Sequence, residues 1–198
     1  MRSTSVDQHV TDYVARLHAA VDALPRDALV TLGDMLFRAY QNGKQVLTLG
    51  NGGSASTASH MSADLGKNTI KANMRRFRVL SLNDNVSLLT ALANDVGYEN
   101  VFSEQLKNLI RPGDLLIVIS ASGNSPNVLE AIRCAQATSA EVAGLLGFGG
   151  GEAARMVDLA IVIESSDYGV VEDLHLIINH ILVEHFQLRL ADDESWVV

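Results

Sequence analysis

Gln45-Val46-Leu47-Thr48-Leu49-Gly50-Asn51-Gly52-Gly53-Ser54 is the stretch on which the reading of the fold turns. A short apolar run, residues 45–49, has no helical period and ends among three glycines. Small residues with helical character follow over residues 55–65. Strand, glycine turn and helix open a βα unit, and open α/β sheets bind ligands at the carboxyl ends of their strands. Glycine lets the backbone approach an anion, and a helix start supplies free N–H groups and a positive dipole end. Ser54 stands where an N-cap hydroxyl would stand. The stretch also reads as a plain tight turn with a cap. It is neither GxGxxG nor GxxxxGK[ST], so no nucleotide cofactor is expected.

Upstream, Val10, Tyr13, Val14, Leu17 and Val21 recur at helical spacing, and the pattern stops near Leu24. Pro25 suits the start of a second helix, in which Leu29, Leu32, Met35, Leu36 and Tyr40 run up to the C-cap signal Asn42-Gly43. Downstream, residues 77–82, 115–119, 141–146 and 159–163 are further strand candidates, most of them dense in Val, Ile and Leu. Such density suits strands covered on both faces. Helical stretches lie between them at 86–94, 100–110 and 126–138, with a last helix over about 170–190. The alternation predicts an α/β fold: a three-layer α/β/α sandwich around a five-stranded parallel sheet, flavodoxin-like, with extra N-terminal helices. Residues 1–198 read as one domain, with a helical pair over 1–43 and the α/β core over 44–198. The pair has no strand partner and can pack on the domain or on another subunit.

At 198 residues the chain fits one domain, and 47 % hydrophobic against 19 % charged residues allows a buried core. Fifteen Lys and Arg stand against 23 Asp and Glu, a net charge of −8, which argues against nucleic acid as a partner. An anionic small substrate is compatible, because a pocket's local field outweighs the total. The one cysteine, Cys134, excludes an internal disulfide and a Cys-rich zinc site. No apolar run approaches the roughly 18 residues of a membrane span. Residues 1–10 are polar and lack a signal-peptide core. These features lead to the expectation of a soluble cytoplasmic protein without a membrane partner.

A second loop, Ser120-Ala121-Ser122-Gly123-Asn124-Ser125-Pro126, also follows a strand and opens a helix. Ser125 is a candidate N-cap and Pro126 a candidate first helical residue. Hydroxyls around a glycine at a helix start make a phosphate cradle without a lysine, although a serine-rich turn has the same composition. With both loops in view, GNGGS and SASGNS, the chain resembles the sugar isomerase (SIS) domain, and more closely the phosphoheptose isomerases. The resemblance runs over nearly the whole chain, including Asn94-Asp95 and the histidines of the last helix. It implies interconversion of sedoheptulose 7-phosphate and D-glycero-D-manno-heptose 7-phosphate. It also implies that Ser54, Ser120, Ser122 and Ser125 hold the phosphate and that Asn51 contacts the sugar. Gly52, Gly53 and Ala121 fall within the same loops, and Asn94 and Asp95 join the substrate-binding set. A homotetramer with sites at subunit interfaces is implied as well.

His60 and Asp64 lie four residues apart, on one face of the helix that follows the first loop. The resembled family carries His and Glu there, so Asp64 departs by one methylene. The last helix carries Glu172, Asp173, His175, His180 and His185 around an apolar stripe. By resemblance His180 is the catalytic histidine, and Glu172 stands where the family usually has Gln. Gly169 replaces a family Asp, with Asp167 two residues earlier. His175 reads as structural and His185 as surface or interface. Ketose–aldose isomerisation moves a proton between C1 and C2 through a cis-enediol and needs a base and an acid. His180 is expected to be one, and Asp64 or Glu172 the other. His60, Asp64, Glu172 and His180 also form a chemically reasonable zinc set, and some family members bind zinc at matching positions. Zinc is thus an option. A straight helix separates residues 172 and 180 by about 12 Å, so one ion takes both only through a bend, a helix start between them or two chains.

The departures at Asp64, Glu172 and Gly169 keep another ketose phosphate open as substrate. Two further readings are a phosphosugar sensor without turnover and a non-enzymatic relative that binds the bacterial replication initiator DnaA. Retention of His60, Asp64 and His180 argues against the last.

Overall fold

The structure is a computed structural model that describes residues 5–192. Two helices lead: α1 (Val6–Asp22) and α2 (Arg26–Gln41). The α/β unit then runs β1 (Gln45–Gly50), α3 (Gly53–Lys67), β2 (Arg78–Ser81), α4 (Val86–Val96), α5 (Ser103–Leu109), β3 (Leu115–Ser120), α6 (Pro126–Gln136), β4 (Glu141–Leu146), β5 (Leu159–Val162) and α7 (Tyr168–Asp192). All five strands are parallel, in the order β2-β1-β3-β4-β5. This is the expected three-layer sandwich.

The period-2 geometry of each strand divides the core. Leu115, Ile117 and Ile119 of β3 point to one face, with Leu32, Leu36 and Tyr40 of α2, Met61 of α3 and Leu174 and Ile178 of α7. Leu116 and Val118 point to the other, with Phe102 and Leu106 around α5 and Val128 and Ile132 of α6. Both faces of the central strands are dry, which is why they read as continuous apolar runs. α2 packs on the sheet directly. α1 buries only Ala20, packs on the core through Tyr13, Leu17 and Val21, and meets α7 through Tyr13.

Strand order sets the place of a site. The chain leaves β1 towards β2 on one side and returns to β3 on the other, so a crevice opens between the carboxyl ends of β1 and β3. Both Gly/Ser loops lie there.

Three local expectations change. Ser54 is the second residue of α3 rather than its cap; Gly52, with φ +55°, holds the cap position. Pro25 precedes α2 instead of opening it. The helix expected over 100–110 is shorter, α5 starting only at Ser103, because Gly97 ends α4 at φ +92° and a tight turn over Tyr98–Asn100 precedes α5. α4 buries none of its residues and exposes Val86, Leu88 and Val96. No helix among the described residues is long and apolar enough to cross a membrane.

Candidate active site

Asn51, Ser54, Ser120, Ala121, Ser122 and Ser125 line a cavity of about 150 Å³, together with Tyr168 and Glu172. α3 and α6 both start at it, so two sets of free N–H groups and two positive dipole ends converge. Ser54 and Ser120 are almost fully buried. Ser125 is the N-cap residue of α6, but its hydroxyl makes no capping bond and is free for a ligand. The Ser120 and Ser122 hydroxyls accept from the N–H groups of Gly123 (3.1 Å) and Asn124 (3.3 Å), which turns the loop back on itself.

The cradle is braced from three sides. Asn51 and the buried Asn127 exchange two amide hydrogen bonds of 2.9 Å, tying the first loop to α6. Asn83 does the same to Gly50, donating to its carbonyl and accepting from its N–H. Asn124 bridges the second loop to the β4–β5 connection, donating to the Ser122 carbonyl and accepting from the Glu152 N–H. Gly123 is held at φ +62°, and a Cβ there would strike the Gly150 carbonyl. The Asn51 carbonyl oxygen also accepts from the Tyr98 hydroxyl at 2.9 Å, so its amide serves mainly as a brace.

Further along α3 a second cluster forms. The Nε2 atoms of His60 and His180 lie 3.4 Å apart. Asp64 Oδ2 lies 3.0 Å from the first and 4.0 Å from the second. The two imidazole side chains are about half exposed and the carboxylate is 17 % exposed. Asn68 donates to Asp64 Oδ1 and Asn179 to Oδ2, each at 2.9 Å. These three ligand atoms could hold a metal ion. Two ligands about 2.1 Å from a tetrahedral ion stand roughly 3.4 Å apart, close to the spacing of the histidine pair. A two-nitrogen, one-carboxylate set with an open fourth position also suits zinc chemically.

Glu172 does not join that triad. α7 is an uninterrupted helix, and the Glu172 carboxylate lies over Gly53 at the start of α3. A Cβ on Gly53 would stand 2.5 Å from it, so a larger residue there would displace the carboxylate. Among the described residues Glu172 has no hydrogen-bond or ion-pair partner. The four-residue metal set expected from sequence therefore reduces to three within this chain. Asn94 and Asp95 bond to each other at the end of α4 and do not border the cradle. Asp167 is committed to α7, accepting from the N–H groups of Gly169 and Val170 and pairing with Arg16. Gly169 leaves room for the Tyr13 hydroxyl, which donates to Asp173 at 2.6 Å. That hydrogen bond to the carboxylate is the main reason the phenol pKa is pushed up to about 12. His175 is fully buried and bonds the Leu146 carbonyl at 3.2 Å, while His185 is exposed.

Sequence reading missed Tyr168, Tyr98, Asn127, Asn68 and Asn179. A polar Asn at position 179 within an apolar helical stripe was the available signal. The others act through contacts between elements that no local pattern reveals.

The SIS domain family profile matches residues 9–147. The phosphoheptose isomerase of Geotalea daltonii is 41 % identical over 157 residues, 79 % of this chain and 81 % of that protein. The phosphoheptose isomerase of Pelobacter propionicus is 36 % identical, covering 88 % of this chain and 94 % of that protein. Among solved structures, the phosphoheptose isomerase of Neisseria gonorrhoeae superposes with a TM-score of 0.86 at 28 % identity, covering 93 % of this chain and all of that one. With a matched profile, relatives of this identity and a shared fold, the chain belongs to the SIS domain family, among the phosphoheptose isomerases.

Proposed function

We propose that the chain is an aldose–ketose isomerase that converts sedoheptulose 7-phosphate to D-glycero-D-manno-heptose 7-phosphate. The observation that carries this reading is the placement of two unlike sites on one helix. Ser54 lines the cradle, and His60 stands six residues along α3, about 9 Å by helical rise. A phosphate ester at C7 stands on the order of 9 Å from C2 in an extended seven-carbon chain, at about 1.25 Å of advance per bond. The phosphate then sits among Ser54, Ser120, Ser122 and Ser125 and the loop N–H groups, with C1 and C2 beside the histidines. Holding the far end in this way lowers the entropic cost of aligning the reacting carbons.

His180 and Asp64 carry the proton transfer. A base takes a proton from C1 while an acid protonates O2, giving the cis-enediol. A proton then returns to C2 as O1 loses its own and the C1 carbonyl forms. Asp64, rather than Glu172, is the carboxylate beside His180. Glu172, unpartnered over Gly53, faces the middle of the sugar and accepts from its hydroxyls. His60, Asp64 and His180 would alternatively hold a zinc ion, which when bound would polarise the sugar's carbonyl and hydroxyl oxygens; these side chains would then be its ligands, and proton transfer by His180 and Asp64 belongs to the metal-free site. The exposed apolar faces of α1 and α4 and the open histidine pair support a homotetramer with its sites at subunit interfaces. Residues 1–198 then act as one SIS unit in the cytoplasm.

Proton NMR of the protein with sedoheptulose 7-phosphate tests the reading, run with added zinc and with a chelator. A new aldose anomeric signal is expected. Thermal stabilisation by the compound with no such signal in either run would overturn turnover in favour of sensing.

A further inference from the structure

We propose that Asn179 is a positioning residue for the reaction, clamping the short Asp64 carboxylate under the histidine pair. The inference rests on the proposed role of Asp64 and adds a residue to it.

Asn179 is completely buried on α7, within the stripe formed by Leu174, Ile178 and Leu182. Its Nδ2 donates to Asp64 Oδ2 at 2.9 Å. Its Oδ1 is buried with no hydrogen-bond partner. An unsatisfied buried acceptor destabilises a fold, so a side chain kept here for packing alone would be apolar. The amide's one bond is to a carboxylate, and charge-assisted bonds of this kind are short and strong. Asn68 Nδ2, on the C-cap residue of α3, holds the other oxygen at 2.9 Å. With one amide on each oxygen, the carboxylate can neither rotate nor swing away from His60, and its plane is fixed between two helices. An aspartate side chain has little reach of its own, so the clamp comes from the neighbouring helix. Partners of this kind that orient a reacting or ligating carboxylate commonly set its performance without touching substrate.

A double-mutant cycle tests the clamp. Asn179→Ala is made in the wild-type and in the Asp64→Glu background, where the added methylene carries the carboxylate past the amide. In the wild-type background kcat is expected to fall about tenfold, the scale of a lost hydrogen bond to a charged group, with KM changed less than about twofold. In the Asp64→Glu background the same change is expected to alter kcat less than about twofold. Melting temperature reads the same coupling without turnover. Asn179→Ala removes the unsatisfied acceptor in both backgrounds but loses the carboxylate bond only in the first. Its Tm effect is therefore expected to be more favourable by about 3 °C or more in the Asp64→Glu protein. Asn179→Val, which fills more of the space, replaces alanine should that variant fail to fold. Equal effects in both backgrounds, in kcat and in Tm, would overturn the clamp. A wild-type protein that isomerises no ketose phosphate yet keeps the Tm coupling would overturn the parent reading and leave the clamp standing.

Discussion

The phosphate cradle and the histidine pair stand two turns apart on α3 and are built in opposite ways. At the cradle the protein has spent its contacts. Asn51, Asn83, Asn124 and Asn127 brace two loops, and the serines at its base are almost fully buried. At the histidine pair the imidazoles are half exposed, and only the carboxylate between them is fixed. A site that must hold one dianion in one place profits from a preformed shape. A site that must exchange protons needs groups whose ring nitrogens stay available. Loss of a group should therefore lower kcat at one end and raise KM at the other.

The largest effect belongs to the proton end. His180→Ala is expected to lower kcat by about 1,000-fold, within the range of general acid–base catalysis. KM should stay within a few-fold and Tm within about 2 °C, because the ring is half exposed and lies outside the packed core. Steady-state kinetics beside a thermal melt checks this. A parallel collapse of KM would merge the two ends into one and break the contrast. At the cradle, Ser122→Ala is expected to raise KM about tenfold, the scale of one hydrogen bond to an ionised group, with kcat nearly unchanged. Protection of the fold by inorganic phosphate should weaken in step. A fall in kcat at constant KM would move Ser122 out of the anion site.

The same division explains what could be read in advance. The cradle was legible because its requirements are local. Glycines and hydroxyls at a strand-to-helix turn follow from backbone geometry, and Ser125 was placed at the start of α6 from the Ser-Pro pair alone. The strands were legible because burial on both faces writes itself as apolar density. The proton end was legible in composition but not in arrangement. His60 and Asp64 share a helix face by spacing, yet their meeting with His180 depends on how α7 crosses α3. Glu172 illustrates the limit. Chemistry groups it with the histidines, whereas helical rise and the open space over Gly53 put it against the cradle. The tight turn over Tyr98–Asn100 was hidden because Gly97 reads as an ordinary break, with no signal for the brace that Tyr98 supplies.

His175 gives the smallest effect and the sharpest control on the contrast between histidines. It stands one helical turn beyond Glu172 on α7, yet it is fully buried, and burial lowers its pKa to about 4 despite the opposing hydrogen bond to Leu146. Its Nε2–H donates to that carbonyl while its Nδ1 is buried without a partner, so the neutral ring, with no second proton on Nδ1, is the one the fold accommodates. The unfolded chain takes up the proton near pH 6.5 and the folded chain near pH 4, so between these values the unfolded state binds more protons. The contribution is thus fully present above about pH 6.5, declines as pH falls towards 4 and is flat below that. Its full size is roughly 3 kcal/mol from the separation of the two pKa values. Unfolding curves of the wild type should accordingly lose stability over this window more steeply than those of His175→Gln, which cannot take up the proton. The difference between the two proteins isolates His175 from carboxylates that titrate nearby. Above pH 7 the difference should be constant, and kcat/KM should change far less than for His180→Ala. Equal pH slopes in the two proteins would mean that the buried ring is protonated in the folded state, and the line between a structural and a working histidine on α7 would have to be redrawn.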